Sequence, residues 1–479
     1  MSGSLKHKIL SGVFYQGMCN AGSYALNFAI SIILARLLTP EEFGVVAIVG
    51  VFVALFGVFV DSGFSAALIQ KKELTKADSS SVFFLNIAMA LIAYSLLFIA
   101  APYIAEFYAR SELTLCIRIL SLCIIFISIS LVQGTMINRN MHFHLNLRIV
   151  LISLMISGGL GIYLAFRGFG VWALIFQQLC RSIVSGVLLW FYGKWRPAMI
   201  WDFTRIRTLF RFGWKLFCSG FLDTLYNNLY PLLLGKLFNF ATLSYYNRGS
   251  HIPSLGMSIL NSTAGSVLFP AFSSIQHDPT KMGFLMKRAL KNIMFLVIPT
   301  MAILFVTAEP LVVVLFGEPW LPSAPYLRIC CFIFLLWPLH TTNLQLLTAC
   351  GRSDVFLILE IYKKTQIVLI ALITFHFGPL VMVSGLAVGN ALSFVANSFM
   401  SKKLVNYGTW QQTVDLIKPL VCSVFSGSCA YLAICHLSGD WAKLLVGGGV
   451  FAGVYLLLSA VFRLIPHEIL DILKQRKFA

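Results

Sequence analysis

The chain has 479 residues, of which 58% are hydrophobic and only 11% are charged. A soluble domain carries about 25% charged residues, so this composition excludes a soluble protein and indicates a polytopic membrane protein. The apolar runs are continuous instead of alternating at every second residue, which excludes a transmembrane β-barrel and predicts an all-α fold.

Hydropathy predicts fourteen membrane spans, since a spanning helix needs about 20 mostly apolar residues. They cover residues 11–36, 44–69, 81–101, 113–137, 148–166, 170–193, 212–236, 242–270, 289–316, 325–350, 362–377, 380–401, 418–437 and 442–464. Proline removes a backbone hydrogen bond, so four prolines are expected to interrupt predicted helices 7, 8 and 9. They are Pro231, Pro253, Pro270 and Pro299.

The formal net charge of +18 comes mainly from lysines and arginines in alternate connections between the predicted helices. This distribution follows the positive-inside rule, so it explains the charge without a nucleic acid as partner. The basic connections are therefore predicted to be cytoplasmic. With an even number of spans, both termini lie on that side.

Similar short segments recur in two parts of the chain, about 200 residues apart. Segments 35–38 and 235–238 leave predicted helices 1 and 7, while 167–170 and 376–379 each join two helices. Such parallel repeats are typical of transporters, with a substrate site near the middle of the membrane. The sequence predicts two six-helix lobes, at 1–193 and 212–401, around a central cavity. It also predicts a cytoplasmic amphipathic linker at 194–211, and two extra helices with a basic tail at 402–479.

Predicted helix 1 carries a polar stripe within an apolar surround. Four polar residues recur at i, i+4, i+7 and i+11, which is one face of a helix: Gln16, Asn20, Ser23 and Asn27. We interpret this face as one wall of a water-filled cavity. The alternative is that these side chains bind a neighbouring helix.

Two acidic residues lie at membrane depth, where an ionised side chain costs about 2.5–3.5 kcal/mol on insertion scales. Asp223 shares a face of predicted helix 7 with Asn227. It is a candidate cavity carboxylate for a proton, Na⁺ or a substrate hydroxyl, or else a structural hydrogen-bond partner. Asp61 lies beside Gly63 in predicted helix 2, where it either caps a break in the helix or pairs with a cation in the cavity.

Arginine suits bidentate recognition of phosphate, and two arginines lie near the outer ends of predicted helices 1 and 8. Arg36 and Arg248 are therefore candidate substrate contacts. The alternative for all such cations is that the charge reaches the lipid head groups. This alternative is favoured for the cations that lie near helix ends, namely Lys215, Lys236 and Arg328.

Sequence motifs for other chemistry are absent. The chain has neither a GxxxxGK[ST] phosphate loop nor an HExxH zinc motif. Nearly all of the eleven cysteines lie in apolar runs and none forms a CxxC pair, so we expect no disulfide and no metal site. The sequence predicts no catalytic residue, no cofactor and no enzymatic activity.

Four stretches together resemble polysaccharide flippases of the Wzx type, in the branch similar to colanic acid exporters. They are LARLLTPEEFG at 34–44, DSGFSAALIQKK at 61–72, GFGVWAL at 168–174 and YYNR at 245–248. The similarity covers residues 5 to 400 approximately. These flippases belong to the MOP superfamily, together with MATE drug exporters and the lipid II flippase.

The resemblance implies alternating-access transport of undecaprenyl-diphosphate-linked sugar repeat units across the bacterial inner membrane. The product would be O-antigen, capsule or exopolysaccharide, and H⁺ or Na⁺ would be the coupling ion. The last two helices look like the family's extra pair, which can shape a groove for the lipid tail. The alternative is a MATE-like antiporter of small molecules. A membrane glycosyltransferase or polymerase would need larger outward loops.

Overall fold

The structure is a computed structural model that describes the backbone of residues 2–61, 63–71 and 73–464. Within these ranges, side chains are described except at residues 2–16, 203–206, 208–209, 211–212, 215 and 259–267. The chain separates into two compact units, Met1–Ser244 and Tyr245–Ala479. The predicted boundaries of the lobes, the linker and the C-terminal pair of helices stay predictions.

The first unit is a bundle in which α1 packs on α7, α7 packs on α8, and α2 packs on α4 and α9. Its helices are α1 (Ser2–Leu37), α2 (Pro40–Asp61), α3 (Phe64–Gln70), α4 (Lys76–Phe107), α5 (Glu112–Leu120), α6 (Leu122–Arg139), α7 (Phe143–Phe166), α8 (Val171–Tyr192), α9 (Phe203–Asn227) and α10 (Leu229–Leu237). The boundary between the units falls inside α11 (Phe240–Ser274).

The second unit continues with α12 (Pro279–Val306), α13 (Ala308–Phe316), α14 (Ser323–Leu335), α15 (Trp337–Ala349), α16 (Ser353–Thr374), α17 (Pro379–Val405), α18 (Thr409–Cys435) and α19 (Asp440–Val461). In this unit α18 packs on α19 and α12, and α17 packs on α14, α15 and α16. The described chain contains α-helices and short 3-10 turns but no strand.

Eleven helical segments of the described chain are long and apolar enough to cross a membrane, which confirms the predicted all-α polytopic fold. The predicted spans 212–236, 242–270 and 362–377 are not among them, so the count of fourteen stays a prediction. The last of these corresponds to α16, which begins earlier, at Ser353. The predicted start at 362 is too late, because the charged residues Asp354 and Glu360 in the first half of α16 interrupt the apolar run.

The prolines behave differently from one another. A break at Asn228 separates α9 from α10, as expected from the clash between the Pro231 ring and the carbonyl of Asn227. The expectation is wrong for the other three, because α11 and α12 continue through them. At Pro299 the reason is visible: the Tyr455 hydroxyl donates to the freed carbonyl of Phe295 at 3.1 Å.

The motif at 34–44 forms the turn from α1 to α2. The Thr39 backbone N–H donates to Glu42 Oε2 at 2.7 Å, and the Glu42 N–H donates to Thr39 Oγ1 at 3.4 Å. This reciprocal pair is a capping box, which satisfies two backbone donors at the start of α2. Pro40 opens the helix at a position where no N–H is needed.

Candidate functional site

The polar face of α1 is partly described. The side chain of Gln16 lies outside the described residues, whereas Asn20 is exposed. Asn27 is half-buried and donates from Nδ2 to the Ser23 carbonyl at 2.9 Å, within its own helix. Arg36 is exposed in the last turn. A membrane-spanning helix therefore presents exposed amide and guanidinium groups.

A second exposed polar face belongs to α9. Asp223 and Asn227 are both exposed, and they occupy the last two turns before the break at Asn228. The Asn228 side chain turns back and donates from Nδ2 to the Thr224 carbonyl at 2.7 Å. Since a carboxylate in hydrocarbon is costly, the exposed Asp223 stays a candidate cavity residue.

Asp61 caps the helix that follows the break between α2 and α3. Its Oδ1 accepts from the Ser65 backbone N–H at 3.1 Å. Gly63 makes the turn with φ +74°, and a Cβ at this position would lie 2.7 Å from the Gly213 carbonyl oxygen. Only glycine fits both requirements.

Asp61→Ala is expected to destabilise the start of α3 by about 1 kcal/mol, because one backbone donor loses its acceptor. Asp61→Asn keeps an acceptor oxygen and is the matched control. Hydrogen exchange of the peptide that contains Ser65 measures the effect. Faster exchange in both variants would show that the charge of Asp61, and not its cap, orders this turn.

Asp61 also lines a cavity of about 690 Å³ inside the first unit. Residues of α2, α3, α6 and α8 form its wall, and several are polar: Asp61, Ser65, Thr135, Asn138, Gln178, Arg181, Ser182 and Ser185. A carboxylate and a guanidinium thus border the same space. Of the predicted site residues whose side chains are described, Asp61 is the one that lines this cavity.

Arg248 is placed differently from the other predicted residues. Its side chain is 8% exposed, and its guanidinium lies 5.1 Å from the ring centroids of both Phe316 and Trp320. Tyr245 contacts Trp320 edge-on, so both ends of the YYNR motif meet this ring. The adjacent Gly249 allows close approach, since a Cβ there would lie 2.6 Å from the Leu327 nitrogen. This burial favours an anchoring role for Arg248 over contact with substrate.

Arg248→Ala is expected to lower the free energy of unfolding by about 2 kcal/mol, the value of a desolvated cation–π contact. Arg248→Lys keeps the charge but not the planar stacking, so we expect partial recovery. Thermal unfolding of the purified protein measures both. If Arg248→Ala has unchanged stability but has lost transport, Arg248 contacts the substrate and is not an anchor.

The structure also assembles a polar cluster that the sequence reading missed, on α15, α16 and α17. Asn397 donates from Nδ2 to Nδ1 of His340 at 3.1 Å, and both side chains are buried. Gln366 donates from Nε2 to Ser393 Oγ at 2.8 Å. Lys363 forms an ion pair with Glu360, and the two side chains are only 14% and 27% exposed.

The cluster continues towards α18 through a second set of buried groups. Asn343 donates from Nδ2 to Gln412 Oε1 at 3.0 Å, and its Oδ1 accepts from Ser401 Oγ at 2.6 Å. The sequence did hold a signal for this cluster. Polar residues of α17 recur at i, i+3, i+7 and i+11, which is one face of a helix: Asn390, Ser393, Asn397 and Ser401.

An apolar groove of about 1310 Å³ lies in the second unit among α12, α13, α14, α18 and α19. Its walls are mainly aliphatic and aromatic, and include Met301, Phe305, Phe332, Leu335, Leu420 and Val424. Ionisable residues also line it, among them Glu309 and Arg328, which form an ion pair at 2.9 Å. The groove suits a long apolar ligand with a charged end.

Metal chemistry finds no support in the described part of the chain. No three His, Cys, Asp or Glu side chains come together there as a metal site would require.

A family model described as "Polysaccharide biosynthesis protein" matches residues 33–325, which is more than half of the chain. The chain belongs to this family. The teichuronic acid biosynthesis protein TuaB of Bacillus subtilis is 24% identical over 99% of this chain and all of its own length. The lipopolysaccharide biosynthesis protein WzxC of Escherichia coli is 24% identical over 88% of this chain and 83% of its own.

The similarity to WzxC confirms the resemblance to Wzx-type polysaccharide flippases that the sequence motifs indicated. Among solved structures, the lipid II flippase MurJ in an inward closed conformation superposes with a TM-score of 0.75 at 16% identity. The alignment covers 94% of this chain and 98% of MurJ. At this identity the likeness establishes the fold.

Proposed function

We propose that this polysaccharide biosynthesis protein is a flippase, not an enzyme, that moves undecaprenyl-diphosphate-linked sugar repeat units across the bacterial inner membrane. The repeat units would serve O-antigen, capsule or exopolysaccharide synthesis. The apolar groove in the second unit carries this proposal. Sugars need hydrogen-bonding groups, which the mainly apolar walls of this 1310 Å³ groove do not supply, whereas a polyprenyl chain can bury its apolar surface there.

The head group would use the exposed polar faces of the first unit. Asn20, Asp223 and Asn227 would offer hydrogen-bonding groups to sugar hydroxyls, as would Asn27. Gln16 belongs to the same face of α1 by its spacing in the sequence. Arg36 is exposed and would offset the charge of the diphosphate. Asp61 lines a separate polar cavity, and Arg248 is buried, so we give these two residues supporting roles.

The orientation and energy source complete the proposal. Both termini would be cytoplasmic, as the distribution of lysine and arginine indicates. Lipids of the membrane would surround the apolar helix faces. The protein would open alternately to the two sides of the membrane, and movement of H⁺ or Na⁺ would drive this cycle.

Reconstitution tests this function directly. The purified protein is placed in vesicles that contain a fluorescent undecaprenyl-diphosphate oligosaccharide, and a membrane-impermeant quencher reports which leaflet holds it. We expect exchange between leaflets to exceed that of protein-free vesicles, and to fall when Arg36 is replaced by glutamine. Equal exchange with and without protein would overturn the proposal.

A MATE-like antiporter is the second candidate. It would bind cationic drugs in an acidic or apolar cavity, whereas Arg36 and Arg181 supply positive charge at the described polar surfaces. Membership in a polysaccharide biosynthesis family also favours the flippase. Drug resistance conferred on a sensitive host would support the antiporter instead.

A further inference from the structure

The buried pair His340–Asn397 has more hydrogen-bonding capacity than it uses. His340 is 8% exposed and Asn397 is fully buried, with 3.1 Å between His340 Nδ1 and Asn397 Nδ2. His340 Nε2 and Asn397 Oδ1 are both buried without a hydrogen-bond partner. A buried polar atom without a partner costs about 1–3 kcal/mol, so a pair with two such atoms calls for a physical reason.

Of the two unused atoms, Asn397 Oδ1 is the acceptor that a protonated imidazole needs at Nδ1. In the observed arrangement Asn397 donates to Nδ1, which requires the neutral ring. When Nδ1 takes a proton from water, it becomes a donor, and rotation of the Asn397 amide by half a turn brings Oδ1 to accept from it. The reverse rotation accompanies release of the proton to water. One amide rotation of Asn397 therefore serves Nδ1 of His340 in both protonation states.

Charged groups stand close enough to respond to this proton. Lys363 interacts electrostatically with His340 and is itself paired with Glu360 on α16. An imidazolium at His340 repels Lys363 and weakens that ion pair. The helices that pack on α15 are α12, α14, α16 and α17. Their ionisable side chains are Lys281, Lys287, Arg288 and Lys291; Tyr326, Arg328, Cys330 and Cys331; Asp354, Glu360, Tyr362, Lys363 and Lys364; and Lys402 and Lys403.

Several of these groups already have other partners. Lys287 and Lys291 bind Asp415, and Arg328 binds Glu309. Lys402 and Lys403 lie in the last turn of α17, beyond Asn397. The Lys363–Glu360 pair is thus the charged element that a proton on His340 would act on.

We propose that His340 and Asn397 form a proton-binding site of the transport cycle, and that the Lys363–Glu360 pair passes its charge state on to α16. This inference rests on the proposed flippase function and assigns its coupling ion as H⁺. Because α16 packs on both α15 and α17, a weakened ion pair changes how this helix is held. The proton therefore biases the position of α16.

Fluorescence of Trp337 tests whether His340 binds a proton. Trp337 precedes His340 by three residues and shares its helix face, and an imidazolium quenches a nearby indole. The signal is the emission of the purified full-length protein minus that of Trp337→Phe, from about pH 3 to about pH 8, a range that covers buried as well as exposed histidines. We expect one titration that vanishes in His340→Gln. In Asn397→Asp its midpoint should rise by about one pH unit or more, because a carboxylate stabilises the imidazolium.

Hydrogen exchange of α16 in the same samples tests the coupling. After correction for the intrinsic pH dependence of exchange, we expect α16 to exchange several-fold faster in acid, and this response to be absent in His340→Gln. His376→Gln is the control, since His376 is exposed in the 3-10 turn after α16. The inference would be overturned if the fluorescence titration persisted in His340→Gln, or if the exchange rate of α16 did not change with pH. Neither measurement uses a lipid-linked sugar, so failure of the flippase assay is a separate result.

Discussion

Gly44→Ala is expected to abolish most of the folded protein. Gly44 lies in α2 against the first residue of α11, where an added Cβ would overlap the carbonyl oxygen and carbon of Phe240. A long side chain could swing aside, but these are backbone atoms of a residue that is only 3% exposed. Overpacking costs about 1–3 kcal/mol even where side chains can adjust, so the cost here should be at the upper end or beyond.

Gly50→Ala is the matched control, because it makes the same substitution in the same helix. A Cβ at Gly50 meets nothing within 4 Å. Removing a helical glycine should therefore leave stability unchanged or raise it by about 0.5–1 kcal/mol. Thermal unfolding followed by size-exclusion chromatography compares the two. Equal stability of both variants would show that α2 and Phe240 can separate without cost.

Val424→Trp is expected to reduce the rate of transport at least about tenfold, which is an increase of roughly 1.4 kcal/mol in the activation free energy. Val424 lines the apolar groove and is 67% exposed, so the indole would enter the space that we assign to the lipid tail. The protein should fold normally, since no buried contact is displaced. The measurement is the leaflet-exchange assay in vesicles.

Val421→Trp separates blockage of the groove from a general effect of tryptophan. Val421 is on the same helix, is 61% exposed and does not line the groove. We expect it to transport at the normal rate. If both variants transport normally, the lipid tail does not use this groove. If both fail, the effect belongs to α18 as a whole.

The sequence predicted well what depends on local order along the chain. Continuous apolar runs determine spanning helices, because the backbone can satisfy its hydrogen bonds in hydrocarbon only within a helix. Thr39 and Glu42 lie three residues apart, as a capping box requires, and Asp61 beside Gly63 indicated a break. Family membership followed from such motifs, since each one specifies a local backbone geometry.

Charged residues inside helices were harder to place. The predicted span 362–377 leaves out Glu360, because a charged side chain in hydrocarbon is costly unless it has a partner. That partner, Lys363, lies one turn later, and the helix extends through both. The ion pair offsets part of this cost, and hydropathy does not register such a contact.

The sequence by itself determined the class of the molecule: an all-α membrane protein with polar faces on α1 and α9, in a polysaccharide biosynthesis family. Only the tertiary structure decided which polar residues are buried. It placed Arg248 against two aromatic rings and brought His340 to Asn397 from another helix. The reason is that local patterns fix a helix and its faces, whereas burial depends on which other helix covers each face.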